Sequence, residues 1–248
     1  MVVELDPISQ LSGLLAFIQS LFSLTLGAII LHKAIRKREK MLFYFFFAVI
    51  FIMSPWYPSG FGYVYWLFTG NVFSYQVYVL MGTIFIPVAL IAWLEIYMST
   101  LHPKKKKLVL ICFTILFIIF YIYLFYFLFF APDAPIINMI GIQHKPNDIT
   151  YRSFVIIFLA FCIVVTLFTG INFSIISMNV IDNPTVIWKG RFLLISFILF
   201  PIGAFGDALI EYGAVDLIIF RTIIVLSMIF YYIGFLMPKW MKKILSLE

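Results

Sequence analysis

The sequence predicts an all-α membrane protein, a single bundle of seven transmembrane helices. The chain of 248 residues is 64% hydrophobic and only 11% charged, with a mean hydropathy of +1.11. One water-soluble core cannot bury that much apolar surface. The apolar runs are also long enough for helices, which need about 20 residues to cross a bilayer, and a helix satisfies its own backbone hydrogen bonds in lipid.

Charged and Pro/Gly-rich breaks divide the chain, taken as one domain over 1–248, into seven predicted spans. They lie at about 8–32, 41–59, 75–99, 108–131, 152–178, 192–212 and 215–237. Acidic Glu4 and Asp6 precede the first span, where a cleavable signal peptide would have basic residues, so this span is expected to be retained. Pro55 and Pro58 interrupt the second. The aromatic stretch from Ser54 to Tyr75 is therefore expected to be a connection, either an interfacial anchor or a lid over an apolar ligand.

The third span contains four candidate pocket or switch residues, Gln76, Thr83, Pro87 and Glu95. Pro87 lacks a backbone donor, so it is expected to kink the helix near mid-membrane. Kinked spans often border cavities. Glu95 lies near a run of lysines, so it either pairs with one of them or serves as a protonation-sensitive latch.

The later spans show other patterns. The fourth is rich in Phe, Ile and Tyr on all sides, which is typical of a lipid-facing helix. Asn172 and the small residues of the fifth favour close helix packing, with Asn172 at a cavity as the alternative. Pro201 is expected to bend the sixth span, as a static kink or as a lever between the two membrane faces. Residues 239–247 are expected to form a short amphipathic helix at the membrane surface.

The basic residues predict the direction of the bundle. Fourteen of the seventeen Lys and Arg residues fall in connections on the same side as the C-terminal tail. Because such residues are retained in the cytoplasm, the N-terminus is predicted outside and the C-terminus inside, in a multi-pass protein of the cell membrane. This topology accounts for the net charge of +6 without a nucleic-acid partner, with anionic lipid or an acidic protein as the alternative.

The strongest candidate site lies where the sixth and seventh spans meet, at Asp207, Glu211 and Arg221. Ionisable groups cost about 2.5 to 3.5 kcal/mol each at the centre of a span, so they are usually paired or line a cavity. Asp207 and Glu211 are one turn apart, and Asp207 and Arg221 are expected at similar depth. An ion pair between them is predicted, as a clamp between two helices, the floor of a pocket or a station on an ion path.

Metal and disulfide chemistry are not expected. The histidines, His32, His102 and His144, lie in different connections or at helix ends, where they cannot share a metal ion. Cys112 and Cys162 each lie inside an apolar run, where a thiol is usually a small buried hydrophobe. The spans also lack a nucleophile with a base or a metal at compatible depth, so no enzyme is predicted.

Seven spans, an outside N-terminus, the proline-kinked sixth helix at Phe200-Pro201 and the amphipathic tail resemble the layout of G-protein-coupled receptors and opsins. The likeness is architectural. Glu95-Ile96-Tyr97 matches the receptors' acidic-Arg-Tyr motif only in part, and their Asn-Pro-x-x-Tyr motif and cysteine bridge are absent. Opsins hold retinal on a lysine of the seventh helix, and residues 215–237 contain no lysine, so covalent retinal is excluded and no cofactor is expected. The layout also resembles the seven-helix sensor portion of histidine kinases.

The sequence thus predicts a receptor-like or sensory membrane protein. It is expected to bind a small or lipophilic ligand in the outer half of the bundle and to signal through a separate cytoplasmic protein. The alternative is a transporter or proton-coupled permease that uses Asp207, Glu211 and Arg221. The halves of the chain show none of the internal similarity that many transporters have. A structural or assembly role is a further possibility.

Overall fold

The computed structural model describes residues 4–131, 139–180, 183–209 and 213–247. The protein is 82% helical, and the described residues include seven helical segments that are long and apolar enough to cross a membrane. These findings confirm the predicted helical class and the number of candidate spans. By its internal contacts the chain divides into two compact units, one up to Cys162 and one from Ile163.

Before Ser153, the described residues of the first unit form six helices, two irregular helical turns and a hairpin. In chain order they are α1 (Pro7–Lys37), α2 (Lys40–Phe51), a 3-10 turn (Ser54–Trp56), α3 (Tyr57–Thr69), α4 (Tyr75–Thr83), α5 (Ile86–Leu101), α6 (Lys106–Phe125), a π-helical turn (Tyr126–Phe130), β1 (Gly141–Lys145) and β2 (Asp148–Tyr151). The second span consists of α2, the 3-10 turn and α3. The third consists of α4 and α5.

The first helix begins at a cap that the sequence encodes. The carboxylate of Asp6 accepts hydrogen bonds from the backbone amides of Ile8 and Ser9, each at 3.0 Å, and Pro7 occupies the first helical position. Both residue types are favoured there, because the first amides of a helix lack partners within it. The helix ends at Arg38, which adopts a left-handed backbone conformation with φ of 52°.

The second span is longer than the predicted 41–59, and the expected connection after it is wrong. Residues 57–69 are helical, because Pro55 and Pro58 lie at the starts of helical turns, where a missing amide donor breaks no hydrogen bond. Helix α3 packs closely on α1: a methyl group on Gly60 would lie 2.7 Å from the backbone nitrogen of Phe17. A stretch packed in this way is part of the span and does not form a lid.

The predicted irregularity at Pro87 is present as a break between α4 and α5. Pro87 cannot donate a backbone hydrogen bond. The hydroxyl of Tyr121 on α6 donates to the carbonyl of Ile84 at 2.7 Å, so a side chain from the neighbouring span satisfies an acceptor at the break. The hydrogen bond ties α6 to the broken third span.

A β-hairpin interrupts the helical pattern between α6 and the next helix. Its two strands pair antiparallel, with Gly141 opposite Tyr151 and Ile142 opposite Thr150. The hairpin, residues 141–151, was not predicted, since the sequence was divided only by the length of its apolar runs. Four helices, α7 (Ser153–Met178), α8 (Pro184–Leu209), α9 (Ala214–Leu236) and α10 (Lys239–Ile244), follow it.

The unit boundary falls within α7. In the first unit, the ring of Phe158 stacks on that of Phe120 from α6, with centroids 3.9 Å apart. In the second unit, the packing of α8 on its neighbours depends on glycine: a methyl group on Gly206 would lie 2.1 Å from the ring of Phe220 on α9.

The predicted short helix after the last span is present as α10, where Trp240 is 51% exposed.

Candidate functional site

The second unit contains the predicted ion pair. Nε of Arg221 on α9 lies 2.7 Å from Oδ1 of Asp207 on α8, and these side chains are only 8% and 10% exposed. The pairing follows from the antiparallel approach of the two helices, which places both residues near the same end. The structure therefore confirms the contact, while Glu211 lies outside the described residues.

The guanidinium of Arg221 is only partly used by this contact. Its Nη1 atom is buried and has no hydrogen-bond partner within the described part of the chain. A buried donor without an acceptor costs about 1 to 3 kcal/mol, and more for a charged group. Arg221 thus has an unused, buried donor beside its ion pair.

The other predicted pocket and switch residues fall in both units, Gln76 and Thr83 in the first and Asn172 and Pro201 in the second. Gln76 and Asn172 are exposed, and the buried hydroxyl of Thr83 donates to the carbonyl of Val79 in its own helix at 2.7 Å. Pro201 is buried within α8. These residues remain candidates, but the structure does not join them into a single site.

Glu95 forms an ion pair with a lysine, which is one of the two alternatives predicted for it. Its carboxylate pairs with the ammonium group of Lys106 and accepts a hydrogen bond from the hydroxyl of Ser99 at 3.3 Å. The pair joins α5 to the start of α6. It lies at the opposite end of the third span from Tyr75, where α4 begins.

A shallow apolar groove lies beside the break in the third span. It is lined by Pro87, Val88, Ile91, Thr114, Phe117, Ile118 and Tyr121. The hydroxyls of Thr114 and Tyr121 both donate to backbone carbonyls, of Leu110 and Ile84, so they are engaged within the protein. The groove therefore provides apolar contact without a specific polar anchor.

Tyrosines of the third and fourth spans hold the hairpin against the helices of the first unit. On α4, the hydroxyl of Tyr75 donates to the carbonyl of Gly141 at 2.8 Å, and the hydroxyl of Tyr78 donates to the carbonyl of Asn147 at 2.8 Å. The hydroxyl of Tyr123 on α6 donates to the carbonyl of Met139 at 2.7 Å, just before the hairpin. The hairpin is thus docked on the helices.

The turn of the hairpin also reaches α1. The amide nitrogen of Asn147 donates to the carbonyl of Ser9, and Asn147 is only 4% exposed. At the surface, Nζ of Lys145 lies 3.3 Å from Oδ2 of Asp6, but exposed pairs of this kind contribute about 0 to 1 kcal/mol. The buried asparagine is therefore the stronger attachment to α1.

Five buried polar groups of the first unit, in α1, the second span and the hairpin, lack partners in the described part of the chain. We call Gln19, Ser54, Ser59, Asn147 and Tyr151 the polar layer. The Oε1 atom of Gln19, the Oδ1 atom of Asn147 and the hydroxyls of the other three are buried, and none has a hydrogen-bond partner among the described residues. Five such atoms in one unit are notable, since buried polar atoms are normally paired.

Contacts around Gly82 place the hydroxyl of Tyr151 beside the segment that contains Ser54 and Ser59. A methyl group on Gly82 would lie 2.6 Å from the hydroxyl oxygen of Tyr151, 3.5 Å from Cγ of Pro58 and 3.9 Å from Cα of Pro55. Ser54 and Ser59 adjoin these prolines in sequence. Gln19 approaches from α1, where its amide nitrogen lies 3.5 Å from the sulfur of Met53.

The hydroxyl of Tyr151 is protonated at neutral pH. Burial, and then the proximity of Tyr75 and Asp148, raises the pKa of Tyr151 above its ordinary value. It can therefore donate or accept a hydrogen bond. Every member of the polar layer is uncharged, in contrast to the pair of Asp207 and Arg221.

Sequence reasoning missed the polar layer. Gln19, Ser54 and Ser59 look like ordinary small or polar residues of apolar runs. Gln19 comes near the segment of the two serines only through the packing of α1 on the second span. One local signal was available: Ile142 and Thr150 are β-branched and flank the turn at Pro146-Asn147, a pattern typical of a hairpin.

Comparisons with models of protein families, with curated proteins and with solved structures find no match for this chain. The structural class of the protein is therefore inferred from its own helices. The described residues contain seven helices long and apolar enough to cross a membrane, which is typical of a multi-pass, α-helical membrane protein.

Proposed function

We propose that this protein is a receptor-like or sensory protein of the cell membrane that binds a small ligand in its first unit, beneath the hairpin. The polar layer is the observation that supports this most. Five buried polar atoms without partners among the described residues would gain hydrogen bonds from a ligand. Burying them unpaired costs about 1 to 3 kcal/mol each, so a ligand that paired them would be favoured.

The chemistry of the layer limits the ligand. The amide oxygens of Gln19 and Asn147 only accept hydrogen bonds, and the three hydroxyls donate or accept. A charged ligand would lose its hydration without meeting an opposite charge in the layer. The ligand proposed is therefore small and uncharged, and it carries at least one hydrogen-bond donor.

The third span offers a route by which binding could affect the opposite end of the unit. Tyr75 and Tyr78 at its start hold the hairpin, the break at Pro87 lies midway, and Glu95 pairs with Lys106 near its end. Broken helices are typical places for one segment to move against another. With the N-terminus outside and the basic connections inside, as the charge distribution indicates, the Glu95 end would face a separate cytoplasmic signalling protein.

A thermal-shift screen of uncharged metabolites and lipids tests this proposal. A ligand of the polar layer should raise the Tm of the wild-type protein and lose most of that effect in a Ser54→Ala/Ser59→Ala variant. Thr25→Ala is the matched control, since the Thr25 hydroxyl donates to the Leu21 carbonyl in its own helix. No stabilisation by any compound, or equal stabilisation of both variants, would count against a ligand site here.

Transport is the second candidate, favoured by the buried pair of Asp207 and Arg221 with its unused Nη1 donor. Intramembrane ionisable residues often mark substrate or proton paths. Flux of a substrate or of protons into liposomes that is lost in Asp207→Asn and kept in Asp216→Asn would support transport. Flux that is absent from the wild-type protein would remove this candidate.

A further inference from the structure

The unused donor of Arg221 indicates a second site, in the second unit, that does not rest on the function proposed above. Asp207 binds Nε of the guanidinium at 2.7 Å. Nη1 lies on the other edge of the group, next to Cδ, so it points away from the bound carboxylate. The side chain is 8% exposed and Nη1 has no acceptor in the described ranges.

The charge balance of this pair limits what can bind. Arg221 and Asp207 together are neutral, and a second anion at Nη1 would leave one negative charge uncompensated in apolar surroundings. Uncompensated buried charges cost several kcal/mol. An uncharged acceptor, such as a carbonyl or hydroxyl oxygen, would satisfy Nη1 without that cost.

The surroundings indicate the rest of the ligand. Arg221 lies seven residues after the start of α9, which is about 10 Å along the helix and within the outer part of a hydrocarbon layer about 30 Å thick. Val215, Ile218 and Ile219 on the same helix are 68%, 45% and 48% exposed, and Ile218 precedes Arg221 by about one turn. A hydrocarbon tail can lie along this apolar surface.

We propose that Nη1 of Arg221 donates a hydrogen bond to an uncharged carbonyl or hydroxyl oxygen of an amphiphile whose tail lies along the exposed apolar face of α9. The oxygen can belong to the ester group of a bilayer lipid or to a free lipophilic compound. On the side of Gly206, the ring of Phe220 packs against the glycine, so little room remains there for a bulky head.

Arg221→Lys is the decisive variant. A lysine ammonium can still pair with Asp207, so the charge balance of the site is kept, but it lacks the second edge of the guanidinium. Arg191→Lys is the matched control, because Arg191 is exposed and lies over the ring of Trp188 at 4.6 Å. If Arg221→Lys fails to fold, the variant Asp207→Asn/Arg221→Met removes both charges together and leaves no hydrogen-bond donor at position 221.

The proteins are placed in nanodiscs of ether-linked phosphatidylcholine, which has no carbonyl, and melted with methyl oleate, octadecene or oleate. Methyl oleate should raise the Tm of the wild type and of Arg191→Lys by about 4 °C at ten times its Kd. Octadecene and oleate should raise it by less than a quarter of that. The Arg221 variant should lose the response to methyl oleate.

Nanodiscs of ester-linked phosphatidylcholine identify the source of the oxygen. A higher wild-type Tm there, with no further response to methyl oleate, assigns the site to bilayer lipid. If the wild-type Tm is the same in both kinds of nanodisc and methyl oleate still raises it, the oxygen belongs to a free amphiphile. Either result supports the site. The proposal would be overturned if oleate raised the Tm as much as methyl oleate does, or if Arg221→Lys kept the response to methyl oleate. The absence of any response in either kind of nanodisc would also overturn it.

Discussion

The two units place polar groups among apolar helices in different ways. The first gathers uncharged side chains beneath a docked hairpin and leaves five of their polar atoms without partners in the described chain. The second buries one ion pair between two helices, with a single donor unused. Charges are the more expensive to bury and must be paired, whereas neutral groups can stay unpaired at a moderate cost. The first unit therefore offers a ligand several neutral groups, whereas the second combines a fixed ion pair with an unused donor of Arg221.

Arg221→Met tests the charged half of this comparison and should have the largest effect. It leaves Asp207 buried without its counter-ion, so we expect a loss of about 3 to 5 kcal/mol in unfolding free energy, measured by titration with a denaturing detergent. Arg191→Met should cost less than about 1 kcal/mol, since that residue is exposed. Equal losses in the two variants would show that burial of the ion pair does not stabilise the second unit.

Gly82→Ala tests the close approach of the hairpin to α4. The added methyl group would lie 2.6 Å from the hydroxyl oxygen of Tyr151, so we expect a loss of about 1 to 3 kcal/mol through overpacking. Adding Tyr151→Phe removes the clashing oxygen and should restore most of that loss. Tyr151→Phe alone should stabilise the protein by up to about 1 kcal/mol, because it removes a buried hydroxyl that has no partner among the described residues. If the double variant is no more stable than Gly82→Ala alone, the hydroxyl of Tyr151 does not cause the clash.

Asn147→Ala should have a smaller effect, confined to the hairpin. It removes the hydrogen bond to the carbonyl of Ser9, worth about 1 kcal/mol, so hydrogen exchange of the hairpin amides should become about fivefold faster. Asn71→Ala is the control, since Asn71 is exposed and its side-chain amide donates only to the nearby carbonyl of Thr69. Faster exchange throughout the first unit would mean that Asn147 stabilises more than the hairpin.

Acid should have the smallest effect, at the start of α1. Hydrogen bonds from the side chain and backbone of Ser9 lower the pKa of Asp6 from 3.8 to about 2. Because the folded pKa is depressed, this cap contributes fully above about pH 4 and is lost as the pH falls through 2. NMR shifts of the Ile8 and Ser9 amides should therefore begin to move below about pH 3, with the midpoint of the movement near pH 2. Asp6→Asn, which caps without titrating, should abolish that movement.

The sequence revealed those parts of the molecule that depend on composition and short spacing. Seven spans follow from apolar length. The pair of Asp207 with Arg221 follows from the cost of burying charge, and the run of lysines after the third span suggested a lysine partner for Glu95 without saying which one. The prediction of a connection at 57–69 is wrong. Pro55 and Pro58 look like breaks in the sequence, but proline is favoured at a helix start.

The polar layer could not be predicted for a different reason. It depends on contacts between residues far apart in the chain, such as Ser9 with Asn147 and Gly82 with Tyr151. A buried polar group without a partner is also invisible in a sequence, since its partners are defined only by the packing around it.

The central claim is that the polar layer is a site that opens when the hairpin lifts. Ser54→Cys, in a Cys112→Ser/Cys162→Ser background, allows this to be measured with a small water-soluble thiol reagent. We predict slow labelling with the hairpin intact and labelling about fivefold faster once Asn147→Ala is added, following the weaker attachment. No labelling in either protein, or a rate that Asn147→Ala does not change, would contradict the account and identify the layer as closed packing.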